Sequence, residues 1–247
     1  QTAGIMDHDS IAGAVEFRKA GKIAGIGTTC GMECRVDLSA TKMAGRKLNN
    51  PDQAGICYMA IHSIPATGFK RLDEVFAPLR EKRNVRNRKM VANINELMKP
   101  YGIEVDFDQD VVPISQYQNG GSITERHVLC ALSQKILDKA PRGGCADFVE
   151  QELGVALNDT AKARLSDPEN PHLIYDLLGV MKAELVSKIY VPATDECMPF
   201  ADLVKLADEV GAILCYPYLG DVTNSVTGDK KARSEERRVG KECHFEC

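Results

Sequence analysis

The sequence predicts an α/β chain, a parallel sheet or barrel interrupted by a mostly helical insertion. Three observations predict it. Short apolar runs alternate with an amphipathic helix between residues 3 and 61, a helical pattern occupies 72 to about 184, and apolar runs return at 188–193 and 212–216.

Taken in order, residues 3–6 read as a short strand ending at His8. Residues 11–24 read as an Ala-rich helix with Asp9 or Ser10 as N-cap, apolar positions at Ile11, Ala14, Val15 and Ala20, and Gly25 as its stop. Residues 26–36 and 55–61 read as strands, with a polar stretch between them whose Asn49-Asn50-Pro51 signals a turn. Breaks at Pro113, Gly120-Gly121, Pro141, Gly143-Gly144 and the 167–171 loop punctuate the helical stretch, which has the length of an inserted cap. A helix over 199–210 separates the two returning strands. His172, at a helix start after a loop, reads as an exposed residue.

Chemistry-bearing residues cluster at the ends of these elements. His8 is flanked by Asp7 and Asp9, Glu33 follows Gly31-Met32, His62 ends an apolar run, and Arg126-His127 follows Glu125. Imidazole and carboxylate are the usual ligands of zinc, manganese or iron, and such an ion lowers the pKa of water enough to supply hydroxide near neutral pH. Asp7 or Asp9 could orient the His8 ring from behind, or be a ligand itself; spacing leaves this open. In α/β barrels the reacting residues sit at the C-terminal ends of strands, where His8 and His62 both fall.

These residues resemble a known family. Gly4-Ile5-Met6-Asp7-His8-Asp9-Ser10-Ile11-Ala12-Gly13 is similar to the "TDHDT" motif of PHP-domain phosphoesterases, the polymerase and histidinol phosphatase superfamily, and Gly31-Met32-Glu33 resembles its "GxE" strand. The resemblance implies an incomplete PHP-type (β/α)7-like barrel with a helical insertion. It further implies His8, Glu33 and His62 as metal ligands, Asp7 and Asp9 as their supports, and two or three divalent ions (Mn, Fe or Zn). Arg80, Arg83, Arg86 and Arg88, followed by Met90, Ile94, Leu97 and Gly102, resemble the "RxxRxxxMxxxLxxxG" stretch of the nucleotide-processing branch, which would set Arg83 and Arg86 against substrate; a solvated basic helix face is the alternative. Residues 123–132 resemble that branch's "RPHxAxxL" segment without its proline. Arg126 would then face the substrate phosphate, with His127 beside it.

Other positions depart from the family. No His-x-His strand precedes Gln1, no final Asp-x-His is found, and Tyr216 stands where the family strand reads "LAHP". Residues 220–231 form a Gly- and Asp-rich loop that could line the pocket, with Asp221 as an added ligand and Lys230 as a phosphate contact; a plain surface loop is the alternative. Residues 233–243 match one reading frame of a common sequencing adapter, so the sequence reads as a metagenomic fragment with an artificial end. The expected organisation is a first barrel part at 1–71, an insertion at 72–187, returning strands at 188–232 and an artefactual, disordered tail at 233–247.

Composition narrows the partners. A net charge of −4 over 247 residues argues against a coat for duplex nucleic acid, so any nucleic-acid substrate would be short and gripped locally. Setting aside Cys243 and Cys247, the cysteines are scattered without CxxC spacing, as expected of buried or surface thiols in a reducing cytoplasm. No apolar run reaches the roughly 18 residues of a membrane span, and no Walker-type GxxxxGK[ST] occurs. The expected activity is phosphate-ester hydrolysis on nucleotides or short oligonucleotides by metal-activated water. Histidinol-phosphate hydrolysis and a degenerate, non-catalytic PHP domain serving as a binding module are the alternatives.

Overall fold

The structure is a computed structural model that describes residues 1–50, 52–141 and 143–218. It is a mixed α/β fold dividing into two compact units, one of residues 1–83, 119–122 and 192 onward, the other of residues 84–118 and 123–191. The division falls inside a single long helix.

The first unit holds a five-stranded sheet. Strand β1 (Thr2–His8) is followed by helix α1 (Ala14–Ala24), β2 (Gly27–Asp37) and β3 (Ile56–His62). Helix α2 (Phe69–Met98) then begins. Later come β4 (Met198–Pro199), helix α7 (Phe200–Val210) and β5 (Ile213–Cys215). The strand order is β1-β2-β3-β5, with β4 pairing the far end of β2. β1 and β4 run parallel to β2, whereas β3 is antiparallel to β2 and β5 to β3. The expected parallel alternation therefore gives way to a mixed sheet, because among the described residues no helix lies between β2 and β3 to carry the chain back to a parallel start. Among the described residues β1 and β5 are the two ends of an open path, and no closed barrel forms.

Alternation along the strands separates the two faces. Met32, Cys34 and Val36 of β2 with Cys57, Met59 and Ile61 of β3 pack with Leu72 and Phe76 of α2 and Leu203, Leu206 and Val210 of α7 into one apolar core. The opposite face carries the polar residues of the same strands.

Local chemistry moves two element ends from their predicted places. Helix α1 starts at Ala14, not Ile11: Asp9 adopts a left-handed conformation (φ 51°), and the Ser10 hydroxyl donates to the Gly120 carbonyl at 2.7 Å and accepts from Ala12 N–H at 3.1 Å. The strand expected at 188–193 does not form. A helix runs to Ile189, which is fully buried, and the Ala193 backbone is satisfied by the Gln53 amide, which accepts from its N–H at 2.8 Å and donates to its carbonyl at 2.7 Å.

The second unit is helical. The C-terminal half of α2 packs with α3 (Glu125–Lys139), the short α4 (Cys145–Asp147), α5 (Asp159–Ser166) and α6 (Leu173–Ile189) around Met90, Ile94, Leu129, Leu132, Leu177 and Met181. Among the described residues no helix is long and apolar enough to cross a membrane.

Candidate functional site

The polar face of the sheet gathers the first unit's candidates by register. His8 pairs with Glu33 across β1·β2, Glu33 with Ala60 across β2·β3, and His62 lies two residues beyond Ala60 on the same face. Gly31, two before Glu33, leaves room there: a Cβ on it would meet Met6 Cε at 2.7 Å and the Ile61 carbonyl at 2.8 Å.

His8 and Glu33 are in direct contact, Nδ1 to Oε2 at 3.1 Å, with side chains 46% and 26% exposed. A carboxylate at Nδ1 places the proton on that nitrogen and leaves Nε2 with its lone pair outward. The dyad can thus offer a metal ligand or a general base. The neighbour that orients the imidazole is Glu33; Asp7 is exposed, and Asp9 turns away to another partner.

That partner is Arg83. Its Nη1 donates to Asp9 Oδ2, and both side chains are nearly closed to solvent, at 4% and 10% exposed. Arg80 adds Nη1 to the Asp9 carbonyl at 3.0 Å and Nη2 to Asp73 at 2.6 Å, while Asp9 N–H reaches the Glu33 carbonyl at 2.8 Å. The loop leaving His8 is therefore bolted to α2. Both histidines are followed by a non-glycine residue with positive φ, Asp9 at 51° and Ser63 at 52°. Such conformations cost energy and persist where the surroundings hold them. Ser63 is held by a shared hydrogen bond with Thr29 Oγ1 at 3.3 Å.

Three further residues join this face. The Tyr58 ring lies 6.2 Å from the His8 ring at 48°, and its phenol oxygen accepts from Arg35 Nε at 3.2 Å and Nη2 at 3.1 Å. Arg35 Nη1 stands 3.5 Å from Glu196 Oε1. Burial works against the Arg35 charge, yet the Tyr58 oxygen holds its pKa above the usual value. Period two along β2 already puts Arg35 on the Glu33 face, a signal legible in the sequence. Glu196, brought in from over a hundred residues away, had no such signal. Burial pushes the Cys34 thiol, on the core face, well up, and that of Cys197, packed with Ile56 and Ala193, up to about 12.

The remaining candidates fall elsewhere. Tyr216 packs against the apolar core of the first unit. Arg86 is buried in the second unit, its Nε donating to the Val191 carbonyl and its guanidinium 5.2 Å from the Tyr190 ring centre. Arg80, Arg83 and Arg86 are all buried, so this stretch of α2 is not the solvated basic face that the sequence allowed. Arg126 is exposed at the first turn of α3, and His127 Nδ1 accepts from Thr124 N–H at 3.0 Å, capping that helix. Asp221 and Lys230 lie outside the described residues, as does the 233–247 tail.

Among the described residues no group of three or more His, Cys, Asp or Glu side chains converges on a point where a metal ion would sit. His8 and Glu33 form a two-donor half-site, and no metal-borne step follows from these residues alone.

No known family's sequence profile matches the chain, and no curated protein is similar to it. A solved structure from Bifidobacterium adolescentis, provisionally named a metal-dependent phosphoesterase, aligns with a TM-score of 0.51 at 16% identity, over 85% of this chain and 54% of that one. The chain spans about half the length of that protein. At this identity the likeness establishes a shared fold.

Proposed function

We propose that the chain is part of a metal-dependent phosphoesterase that hydrolyses phosphate esters of nucleotides or short oligonucleotides with metal-activated water. The observation that carries the reading is the His8–Glu33 dyad at the end of β1, on the face that also bears His62. The fold shared with the Bifidobacterium protein and the motif resemblance support it. His8 Nε2 and the second Glu33 oxygen are the proposed donors from this chain, with His62 on the same face but not converging with them on one point. Bound, the ion would make hydroxide available near neutral pH. The protein's own part is to fix the imidazole through Glu33 and to hold the loop after His8 through Asp9 and Arg83.

The test is elemental analysis of protein purified without chelators, beside His8→Ala and Glu33→Gln. Bound manganese, iron or zinc in the parent, lost in both variants, is the expected result. No metal in the parent after reconstitution overturns it. That second outcome favours a non-catalytic binding module, a reading supported by the absence of a third converging donor among the described residues and by Tyr216 facing the core.

A further inference from the structure

The chain segments that leave His8 and His62 border a second feature on the first unit, away from the dyad face. A cleft of about 370 Å³ is lined by Val15, Arg18, Lys19 and Lys22 of α1, by Ala66 in the turn before α2 and by Phe69, the first residue of α2. Its size is within the roughly 300 to 1,000 Å³ typical of small-ligand pockets. No carboxylate lines it.

The spacing explains the charge. Residues 15, 18, 19 and 22 recur at three and four, so they share one side of α1, and the helix rise places the Arg18 and Lys22 backbones about 6 Å apart along the axis. Arg18, Lys19 and Lys22 make no ion pair among the described residues. Many other exposed cations do, including Arg71 with Glu209, Arg88 with Asp108 and Lys162 with Glu150. Like charges at i and i+4 destabilise a helix, and a bound anion removes that cost. The cleft also has an aromatic wall: Arg18 Cζ stands 6.0 Å from the Phe69 ring centre.

A row of cations without an ion pair among the described residues, beside a half-buried ring, is the combination that holds single-stranded nucleic acid, phosphates on the cations and a base on the open part of the π-face or on the guanidinium plane. We infer that this cleft is a binding site for a short single-stranded segment of nucleic acid, with Arg18, Lys19 and Lys22 on the phosphodiester backbone and Phe69 with Arg18 against a base. The overall charge of −4 restricts such binding to a local grip of a nucleotide or two. The site stands whether or not the dyad face hydrolyses anything.

Fluorescence anisotropy of a labelled thymidylate hexamer on the full chain tests it. The parent is expected to bind with an affinity that falls as salt rises. Lys19→Glu/Lys22→Glu, both exposed and checked for folding by circular dichroism, is expected to weaken binding by about tenfold or more and to flatten the salt dependence. Phe69→Leu should weaken binding without changing the salt slope. Absence of hexamer binding by the parent, or an unchanged affinity in the double variant, overturns the assignment. So does displacement of the hexamer by inorganic phosphate at equal concentration, which makes the cleft a free-anion site, or preferential binding of polyglutamate, which makes it a site for acidic peptides.

Discussion

Asp9 shows how one residue links the candidate site to the scaffold. Its carboxylate is spent on Arg83, its carbonyl on Arg80 and its N–H on Glu33, so little of it is left to serve His8. Asn tolerates the same backbone conformation, so Asp9→Asn removes the charge without removing the turn. It leaves Arg83 buried without a counter-ion and is expected to cost about 3–5 kcal/mol, read as a lower urea midpoint at unchanged slope. Cys197 gives a pH signature. Burial holds its thiol up to about 12, so the folded state keeps a proton that the unfolded chain, with a thiol near pKa 8.5, gives up. That stability is complete below about pH 8.5 and is lost as pH rises toward 12. Cys197→Ala should flatten the alkaline limb of a stability-against-pH curve.

At the scale of elements, β2 does the most to organise the site. Its alternation sends Met32, Cys34 and Val36 into the core and Glu33 and Arg35 to the polar face, a pattern open to inspection in the sequence. Substituting Gly31 by Val would drive a side chain into Met6 and the Ile61 carbonyl, at a cost of about 1–3 kcal/mol and with displacement of the His8 end of β1. Helix α3 carries a structural histidine. Since His127 Nδ1 caps the first turn, His127→Ala should lower stability by about 1 kcal/mol, with a lower thermal midpoint, whether or not substrate is present. Arg126→Ala, exposed on the same turn, should leave the midpoint unchanged.

Over the whole molecule the two units have separate apolar cores. Leu132, fully buried in the helical unit, is expected to cost about 2–5 kcal/mol on replacement by Ala, measured by denaturant unfolding. The same unit carries carboxylates held below their usual pKa, Asp108 by the Arg88 guanidinium and Glu150 by Lys162. Their contribution is present above the ordinary carboxylate range and is lost as pH falls through the lowered values, so acid should loosen this unit; hydrogen exchange at falling pH reads it directly.

The sequence alone determined what depends on neighbours along the chain: the α/β class, the strands ending at His8 and His62, the stop of α1 at Gly25 and the exposure of His172. Each follows from a period, a cap or a breaker within a few residues. Only the tertiary structure decided the mixed sense of the sheet, the helix in place of a strand near residue 189, and the closing of Asp9 onto Arg83 and of Arg35 onto Glu196. The physical reason is distance along the chain. A buried charge must find its counter-ion wherever folding brings one, and residues 74 positions apart leave no periodic trace of that pairing.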